Sequence, residues 1–130
     1  AHYDWLVGEV DGTVMGYAYY GAFHPRAAYR HTVETSIYLD QGQRGQGWGT
    51  ALYGQLLESA KKQGFREVMS LIALPNAGSI GLHRKLGFQS VGVMQNVGYK
   101  LHRYVDVSLW QKTLQPPEPQ FLQPQTLLAR

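Results

Sequence analysis

Cysteine is absent from the 130-residue sequence, which excludes disulfide bonds, thiolate nucleophiles and metal sites built on cysteine. Long apolar runs are absent as well, since no stretch approaches the roughly 20 residues that a membrane span needs and no secretory signal opens the chain. Charge is scarce, and the net charge of +3 suits an anionic ligand but is too small to favour nucleic acid. We therefore expect a soluble cytoplasmic protein with no membrane partner and no nucleic-acid partner.

Proline is rare except at the end of the chain, where four of the six prolines follow Gln115. This composition predicts an extended, proline-rich tail over residues 115–130. The preceding residues 1–114 have the length of one domain, and the 44% apolar content of the chain is ordinary for a globular protein.

The apolar pattern predicts the order strand, strand, loop, strand, helix, strand, helix, strand, strand. Asp11-Gly12 between two apolar runs is the strongest short signal for a hairpin. One helix joins two of the strands, and such a crossover makes them parallel neighbours, so we expect an α/β fold (an α+β mixed sheet) with helices on its faces. The predicted strands are Trp5–Val10, Thr13–Phe23, Thr32–Leu39, Phe65–Leu74 and two closing strands within residues 88–114, and the predicted helices run from Gly47 to Lys62 and from Asn76 to Gly87.

Five glycines lie between Gly42 and Gly54, where a predicted strand gives way to a helix. Glycine costs roughly 1 kcal/mol against alanine in a helix interior, so this density needs a reason. Free backbone N–H groups and the helix dipole favour an anion at such a junction, and glycine lets phosphate oxygens come close. Two familiar phosphate-binding spacings do not fit, and the pattern is R-x-x-G-x-G over Arg44–Gly49. A glycine-rich turn that only caps the helix is the alternative.

This pattern resembles the acetyl-CoA pyrophosphate loop of the GNAT superfamily of N-acetyltransferases, and PNAGSIGLHRKLGF resembles the second half of their cofactor site. More narrowly, FHPRAAYRHTVETSIYL and VGYKLHRYVDVSLWQ resemble the phosphinothricin and methionine sulfone or sulfoximine N-acetyltransferases. The resemblance implies the GNAT acyltransferase fold. It also implies a homodimeric enzyme that uses acetyl-CoA, without a metal, to acetylate the α-amino group of such an amino acid.

Family members carry a further strand and two helices before the position of Trp5, and these help to roof the substrate pocket. The resemblance implies that this sequence lacks them. Because no cysteine can carry an acetyl group, we expect direct transfer in a ternary complex. The alternatives are a GNAT enzyme for a different small amine and a truncated domain that binds coenzyme A without turnover.

The resemblance assigns cofactor binding to three segments. The backbone of the strand at Thr32–Leu39 would face the pantetheine arm, because this strand separates from its parallel neighbour in the superfamily. The glycine loop would hold the pyrophosphate, and two side chains of the second helix would reach the cofactor. For Asn76 a plain N-cap is the alternative, and for Lys85 a solvated charge. The implied cofactor residues are Ser36, Ile37, Tyr38, Arg44, Gly45, Gln46, Gly47, Trp48, Gly49, Thr50, Asn76 and Lys85.

An amine must lose a proton before it attacks a thioester, and Glu34 is a candidate for the base. It interrupts an apolar strand, where a carboxylate is costly unless it is paired or used, and it alternates with Val33 and Thr35. His83 stands where many GNAT enzymes have a tyrosine that protonates the departing thiolate. The resemblance makes His83 this acid, or a partner of Glu34 in the base role. A solvent-facing edge glutamate and a packed helical histidine are the alternatives.

The carboxylate of an amino-acid acceptor calls for a cation, and arginine binds carboxylates and phosphinates through paired hydrogen bonds. By resemblance, Arg26 and Tyr29 match substrate-binding positions of the phosphinothricin acetyltransferases. Two further segments match those that contact substrate in the methionine sulfone type. The implied substrate residues are Phe23, His24, Pro25, Arg26, Tyr29, Val33, Glu34 and Thr35.

Overall fold

The computed structural model of the chain describes residues 3–40, 42 and 47–116, and these residues form six strands and two helices in the predicted order. Most bounds shift from the prediction by a residue or two. In chain order the elements are β1 (Trp5–Val10), β2 (Thr13–Ala22), a short 3-10 turn (Ala27–Tyr29), β3 (Thr32–Leu39), α1 (Trp48–Lys62), β4 (Glu67–Ala73), α2 (Ala77–Lys85), β5 (Gln89–Lys100) and β6 (Arg103–Thr113).

The strands form one mixed sheet in the order β1-β2-β3-β4-β6-β5. Neighbours are antiparallel except for β3 and β4, which α1 connects as a parallel pair, so the predicted crossover is confirmed. At the first hairpin, Asp11 and Gly12 adopt positive φ angles of 51° and 79°, a turn geometry that follows the twist of the flanking strands.

Helix α1 ends in a left-handed glycine, Gly64, at φ 94°. The amide of Phe65 then donates to the carbonyl of Ala60 at 3.1 Å, which is the Schellman arrangement. Phe65 is buried, so this cap ties the end of the helix to the core. The residue is therefore part of the cap, and β4 begins at Glu67 rather than at the predicted Phe65. Helix α2 ends in the same way at Gly87.

Both helices pack on one face of the sheet, and the core lies between them and the strands. The predicted apolar positions of α1 (Leu52, Leu56, Leu57 and Ala60) are all buried. Each buried leucine contributes about 2 kcal/mol relative to an exposed one, so this stripe holds α1 on the sheet. Within the described residues, no helix is long and apolar enough to cross a membrane.

The opposite face of the sheet carries exposed aromatic side chains. Trp5 stacks on Tyr19 with 4.2 Å between ring centroids, and Tyr17 lies 5.0 Å from Tyr38. Trp5 is 62% and Tyr38 is 52% exposed. We call this surface the open face. Glu34 lies on it, because strand alternation puts Glu34 on the same side of β3 as Tyr38.

Candidate active site

The backbone ladder between β3 and β4 is short. Only Thr32–Glu34 pair with β4, opposite Glu67–Met69, although β3 continues to Leu39 and β4 to Ala73. The strands therefore separate beyond Glu34, and the peptide groups of β3 that point towards β4 have no ladder partner there. We call this gap the β3–β4 cleft. The residues predicted to face the pantetheine arm, Ser36, Ile37 and Tyr38, lie in this unpaired part of β3.

The first turn of α1 follows β3 and has the features of an anion site. Its N-cap is Gly47, at φ 83°, with no side-chain capping bond and no acidic residue in the first turn. The indole N–H of Trp48 is buried and has no hydrogen-bond partner among the described residues. Uncapped amides, a helix dipole and a spare donor together favour a negatively charged ligand. Arg44, Gly45 and Gln46 of the predicted loop lie outside the described residues.

Gly49, predicted to bind the cofactor, has a packing reason of its own. A Cβ at this position would come within 2.9 Å of Leu39 Cδ1 and 3.3 Å of Leu82 Cδ2. Glycine therefore lets α1, β3 and α2 approach one another at the root of the cleft. Thr50, next to it in the first turn, is half-buried.

Helix α2 begins where β4 ends, so its N-terminus opens on the same edge of the sheet as that of α1. The side-chain oxygen of Asn76 accepts the amide of Ser79 at 3.0 Å, which is an N-cap. The side-chain nitrogen of Asn76, Nδ2, makes no hydrogen bond with the described residues. Asn76 can therefore cap α2 through its oxygen and bind a ligand through its nitrogen. Lys85 is exposed at the far end of α2, about 12 Å along the helix axis from the first helical residue.

Glu34 is half-buried on the open face, directly between Gly21 of β2 and Met69 of β4. Its carboxylate makes no hydrogen bond or ion pair with the residues that the structure describes. Burial raises the pKa of Glu34 above its ordinary value of 4.5. A Cβ added at Gly21 would meet nothing within 4 Å, so there is open space beside the carboxylate. An unpaired, partly desolvated carboxylate beside open space can act as a base.

His83 is 2% exposed and lies on the helix-covered face, away from Glu34. Its Nδ1 is 2.8 Å from the carbonyl oxygen of Ser79, which can only accept, so Nδ1 carries a proton. Its Nε2 lies 2.8 Å from Ser70 Oγ and 3.0 Å from the hydroxyl of Tyr53. Burial lowers the pKa of His83, so the imidazole is neutral at pH 7.

The loop before β3 carries the remaining substrate residues predicted from the sequence. The ring of Tyr29 lies 4.8 Å from that of His24 and 6.1 Å from that of Phe23. The amide of Arg26 donates to His24 Nδ1 at 3.1 Å, and the side chains of Arg26 and Pro25 are exposed. The side chains of two other predicted substrate residues, Val33 and Thr35, are buried in the core. The backbone of Val33 pairs with Val68 in the ladder, so only the backbone of Thr35 lies beyond the last ladder pair.

Comparison with protein families gives the class of protein. The family described as the acetyltransferase (GNAT) family matches residues 1–88. The chain belongs to this family, as the sequence resemblance predicts.

Within this family, the chain is similar to several named N-acetyltransferases. The chain is 42% identical over 117 residues to the phosphinothricin N-acetyltransferase of Streptomyces viridochromogenes, covering 90% of this chain and 64% of that protein. It is 42% identical over 111 residues to the L-methionine sulfoximine/L-methionine sulfone acetyltransferase of Pseudomonas paraeruginosa, covering 85% of this chain and 64% of that protein. A phosphinothricin acetyltransferase of Sinorhizobium meliloti in complex with acetyl-CoA superposes with a TM-score of 0.82 at 40% identity, covering 90% of this chain and 67% of that one. The chain thus spans about two thirds of the length of these relatives.

The sequence did not predict a role for two residues that contact His83, namely Tyr53 and Ser70. Tyr53 and Ser70 are fully or almost fully buried and meet at His83. In the sequence, Tyr53 lies within the apolar stripe of α1 and Ser70 within an apolar strand, so both look like core positions. The available signal is chemical: a tyrosine hydroxyl inside a core needs a polar partner.

Proposed function

We propose that the chain is an acetyl-CoA-dependent N-acetyltransferase for the α-amino group of a phosphinothricin-like or methionine sulfone- or sulfoximine-like amino acid. The observation that carries the proposal is Glu34, a partly desolvated carboxylate with no partner in the described part of the chain, at the point where the β3–β4 cleft opens. The names of the relatives, at 42% identity, support the substrate class.

Acetyl-CoA would supply an acetyl group activated as a thioester. The uncapped first turn of α1 would hold the pyrophosphate through its amides, with the indole N–H of Trp48 as a further donor. The unpaired peptide groups of β3 would bond the pantetheine arm within the cleft, and Asn76 would donate from its amide nitrogen. These residues fit a ligand that is anionic at one end and rich in amide groups along its length.

Glu34 would take the proton from the ammonium group of the substrate. Burial raises the pKa of Glu34, which makes its carboxylate a stronger base than that of an exposed glutamate. We assign the base role to Glu34 alone, because His83 is buried on the opposite face with its Nε2 already engaged. The amine would then attack the thioester carbonyl directly, since the chain has no cysteine to form an acetyl-enzyme. The C–S bond would break, and the departing thiolate of coenzyme A would take up the proton that the nitrogen loses as the amide forms.

Following free thiol after mixing the protein with acetyl-CoA and phosphinothricin or methionine sulfone tests the proposal. Thiol release that depends on the amino acid is the expected result. Release with only another amine, from a panel of acceptors, would overturn the substrate class. Tight acetyl-CoA binding by calorimetry without release from any acceptor would instead indicate a cofactor-binding domain.

The space beside Glu34 is expected to receive the amine, and Gly21 keeps it open. Gly21→Val adds a Cβ that meets no atom of the described residues within 4 Å, and valine suits a strand, so the thermal midpoint should change little. The KM for the amino acid should rise by roughly tenfold or more, because a buried misfit costs 1–3 kcal/mol, while the Kd for acetyl-CoA stays the same. Steady-state kinetics on a graded series, Gly21→Ala and then Gly21→Val, measure the effect. Equal KM values across the series would show that the amine binds elsewhere.

A homodimer is part of the proposal. β5 is one of the two outer strands of the sheet, and most of its 12 residues are exposed. An unpaired edge with exposed apolar side chains favours association with a second copy. The exposed apolar residues of this strand are Val91, Val93, Val97 and Tyr99.

Light scattering is expected to give twice the chain mass of 14.6 kDa. Val93→Lys should shift the protein to the monomer, because it puts a charge on the apolar edge. Val7→Lys is the matched control, since Val7 is 55% exposed on the other outer strand, β1, and Val93 is also 55% exposed. A monomeric parent, or dissociation by the Val7 variant instead, would contradict this interface.

A further inference from the structure

Four buried polar groups meet where the β3–β4 ladder ends. The last ladder pair is Glu34 with Met69, so Thr35 and Ser70 are the first residues of the two strands without a backbone partner across the gap. Because Glu34 and Met69 point to the open face, Thr35 and Ser70 both point to the helix-covered face. The two hydroxyl groups are therefore neighbours at the root of the cleft, on the side of α1 and α2.

A chain of hydrogen bonds joins these two hydroxyl groups through the helices. Thr35 Oγ1 lies 2.6 Å from the hydroxyl of Tyr53 on α1. That hydroxyl lies 3.0 Å from Nε2 of His83 on α2, and Nε2 lies 2.8 Å from Ser70 Oγ. We call the series Thr35–Tyr53–His83–Ser70 the cross-strand bridge. It connects β3 to β4 just beyond the last backbone pair.

The proton positions of the bridge follow from its end groups. The Nδ1 proton of His83 is held by the carbonyl of Ser79, so Nε2 can only accept. Ser70 and Tyr53 can both donate to Nε2, which accepts them as a three-centre hydrogen bond, and Thr35 can donate to the hydroxyl oxygen of Tyr53. Every hydroxyl proton then has an acceptor. All of these groups have hydrogen-bond partners only while the imidazole of His83 stays neutral. Burial raises the pKa of Tyr53 to about 12, so its hydroxyl keeps its proton at neutral pH.

Such a network is expensive if its only task is to fill the core. Apolar side chains of the same shape would avoid the cost of burying hydroxyl groups and an imidazole. Leaving aside the tyrosines and tryptophan of the core, four polar side chains are buried among the described residues, and three of them, Thr35, Ser70 and His83, belong to the bridge. The concentration of buried polarity at this one point favours a role in setting the geometry of the strands.

We propose that Tyr53 is a positioning residue that, through the cross-strand bridge, fixes the separation of β3 and β4 at the root of the β3–β4 cleft. The inference rests on the proposed function in one respect, since it takes the cleft as the place of the pantetheine arm. Beyond the ladder no backbone bond sets the width of the gap, so the side-chain bridge sets it. The hydroxyl of Tyr53 makes no hydrogen bond with the backbone of either strand among the described residues, and it acts through Thr35 on one side and through His83 and Ser70 on the other.

Tyr53→Phe removes only the central hydroxyl of the bridge, and Tyr20→Phe is the matched control. Tyr20 is also a core tyrosine, 2% exposed, and its hydroxyl bonds Asp4 and Ser59 away from the cleft. Both variants lose one buried hydroxyl and should lose similar thermal stability. Only Tyr53→Phe should speed amide exchange in residues 36–39 and 71–73 and raise the Kd for acetyl-CoA by roughly threefold to tenfold, the worth of one hydrogen bond.

A pair of variants at Thr35 provides rescue by a conservative change. Thr35→Ser keeps the hydroxyl group and should retain parental exchange and Kd, whereas Thr35→Val has the same shape without it and should behave like Tyr53→Phe. Hydrogen exchange is measured on the 130-residue chain without ligand, and the Kd is measured by calorimetry. Exchange rates and Kd in Tyr53→Phe that match those of Tyr20→Phe would overturn the inference. A parent chain that fails to bind acetyl-CoA would overturn the proposed function, and the exchange comparison would still decide the bridge.

Discussion

Glu34→Gln is expected to lower kcat by roughly a hundredfold or more, the contribution of a general base to catalysis. Glutamine keeps the size of the side chain but cannot accept the proton of the ammonium group. The Kd for acetyl-CoA should not change, because the carboxylate lies on the open face and the amides of α1 and β3 are untouched. Steady-state kinetics with a saturating amino acid, together with calorimetry, separate the two quantities.

The control for this substitution is Glu9→Gln, which removes an exposed carboxylate from β1 of the same sheet. It removes one negative charge, as Glu34→Gln does, and should leave kcat unchanged. A parental kcat in Glu34→Gln, or an equal loss in both variants, would remove Glu34 from the mechanism.

The same substitution should also stabilise the fold at neutral pH. Burial raises the pKa of Glu34 above 4.5, so the folded chain holds this proton more tightly than the unfolded chain does. The contribution of Glu34 to the free energy of unfolding therefore falls as pH rises from below 4.5 through its folded pKa. At pH 7 the ionised carboxylate is a net cost that glutamine lacks, so denaturant unfolding should shift to higher concentration. A gain in stability with a loss of activity is the pattern of a residue retained for function.

Gly47→Val is expected to weaken acetyl-CoA binding by roughly tenfold or more, because charge-assisted hydrogen bonds are worth 1.5–3 kcal/mol. Gly47 is the N-cap of α1, and a Cβ there meets no atom of the described residues within 4 Å, so the new side chain would occupy the space that a phosphate needs. Calorimetric titration with acetyl-CoA measures the effect.

Backbone strain must be separated from this loss of binding, because Gly47 has φ 83° and valine tolerates that conformation poorly. Gly64→Val is the matched control: it places the same side chain at φ 94°, at the other end of the same helix, again with open space around the Cβ. Both variants should lose similar stability, and only the Gly47 variant should lose affinity. Equal affinities in the two variants would remove phosphate binding from this helix end.

Local patterns predicted the fold well because the strongest local signals coincide with the real turns and caps. Asp11-Gly12 forms the first hairpin, Gly64 closes α1 in the left-handed conformation, and Asn76 caps α2. The apolar spacing of α1 gives the buried stripe directly. What local patterns do not contain is the length of the ladder between β3 and β4. That length depends on tertiary hydrogen bonds between residues far apart in the chain, so the separation of the strands came only from the family resemblance.

The sequence predicted only those residues of the site that differ from their local pattern. A carboxylate in an apolar strand is anomalous, and Glu34 stands out by that anomaly alone. Tyr53 was hidden because its ring satisfies the apolar period of α1, and its hydroxyl carries no signal without knowledge of its partners. For Gly49, the Cβ clash with Leu39 depends on how closely α1 approaches β3, which the sequence does not contain. The catalytic, cofactor and substrate assignments remain predictions for the experiments described above.

The two helix N-termini at the mouth of the cleft have a consequence for how the protein responds to its surroundings. Each supplies about half an elementary positive charge from aligned peptide dipoles. Peptide groups neither gain nor lose a proton between acidic and strongly alkaline pH. A lysine side chain, in contrast, loses its positive charge near pH 10.4. The attraction for a polyanion contributed by α1 and α2 should therefore persist into alkaline solution, where an ammonium-based site would fail. Attraction of this origin is fixed when the chain folds and needs no ionisable side chain to maintain it.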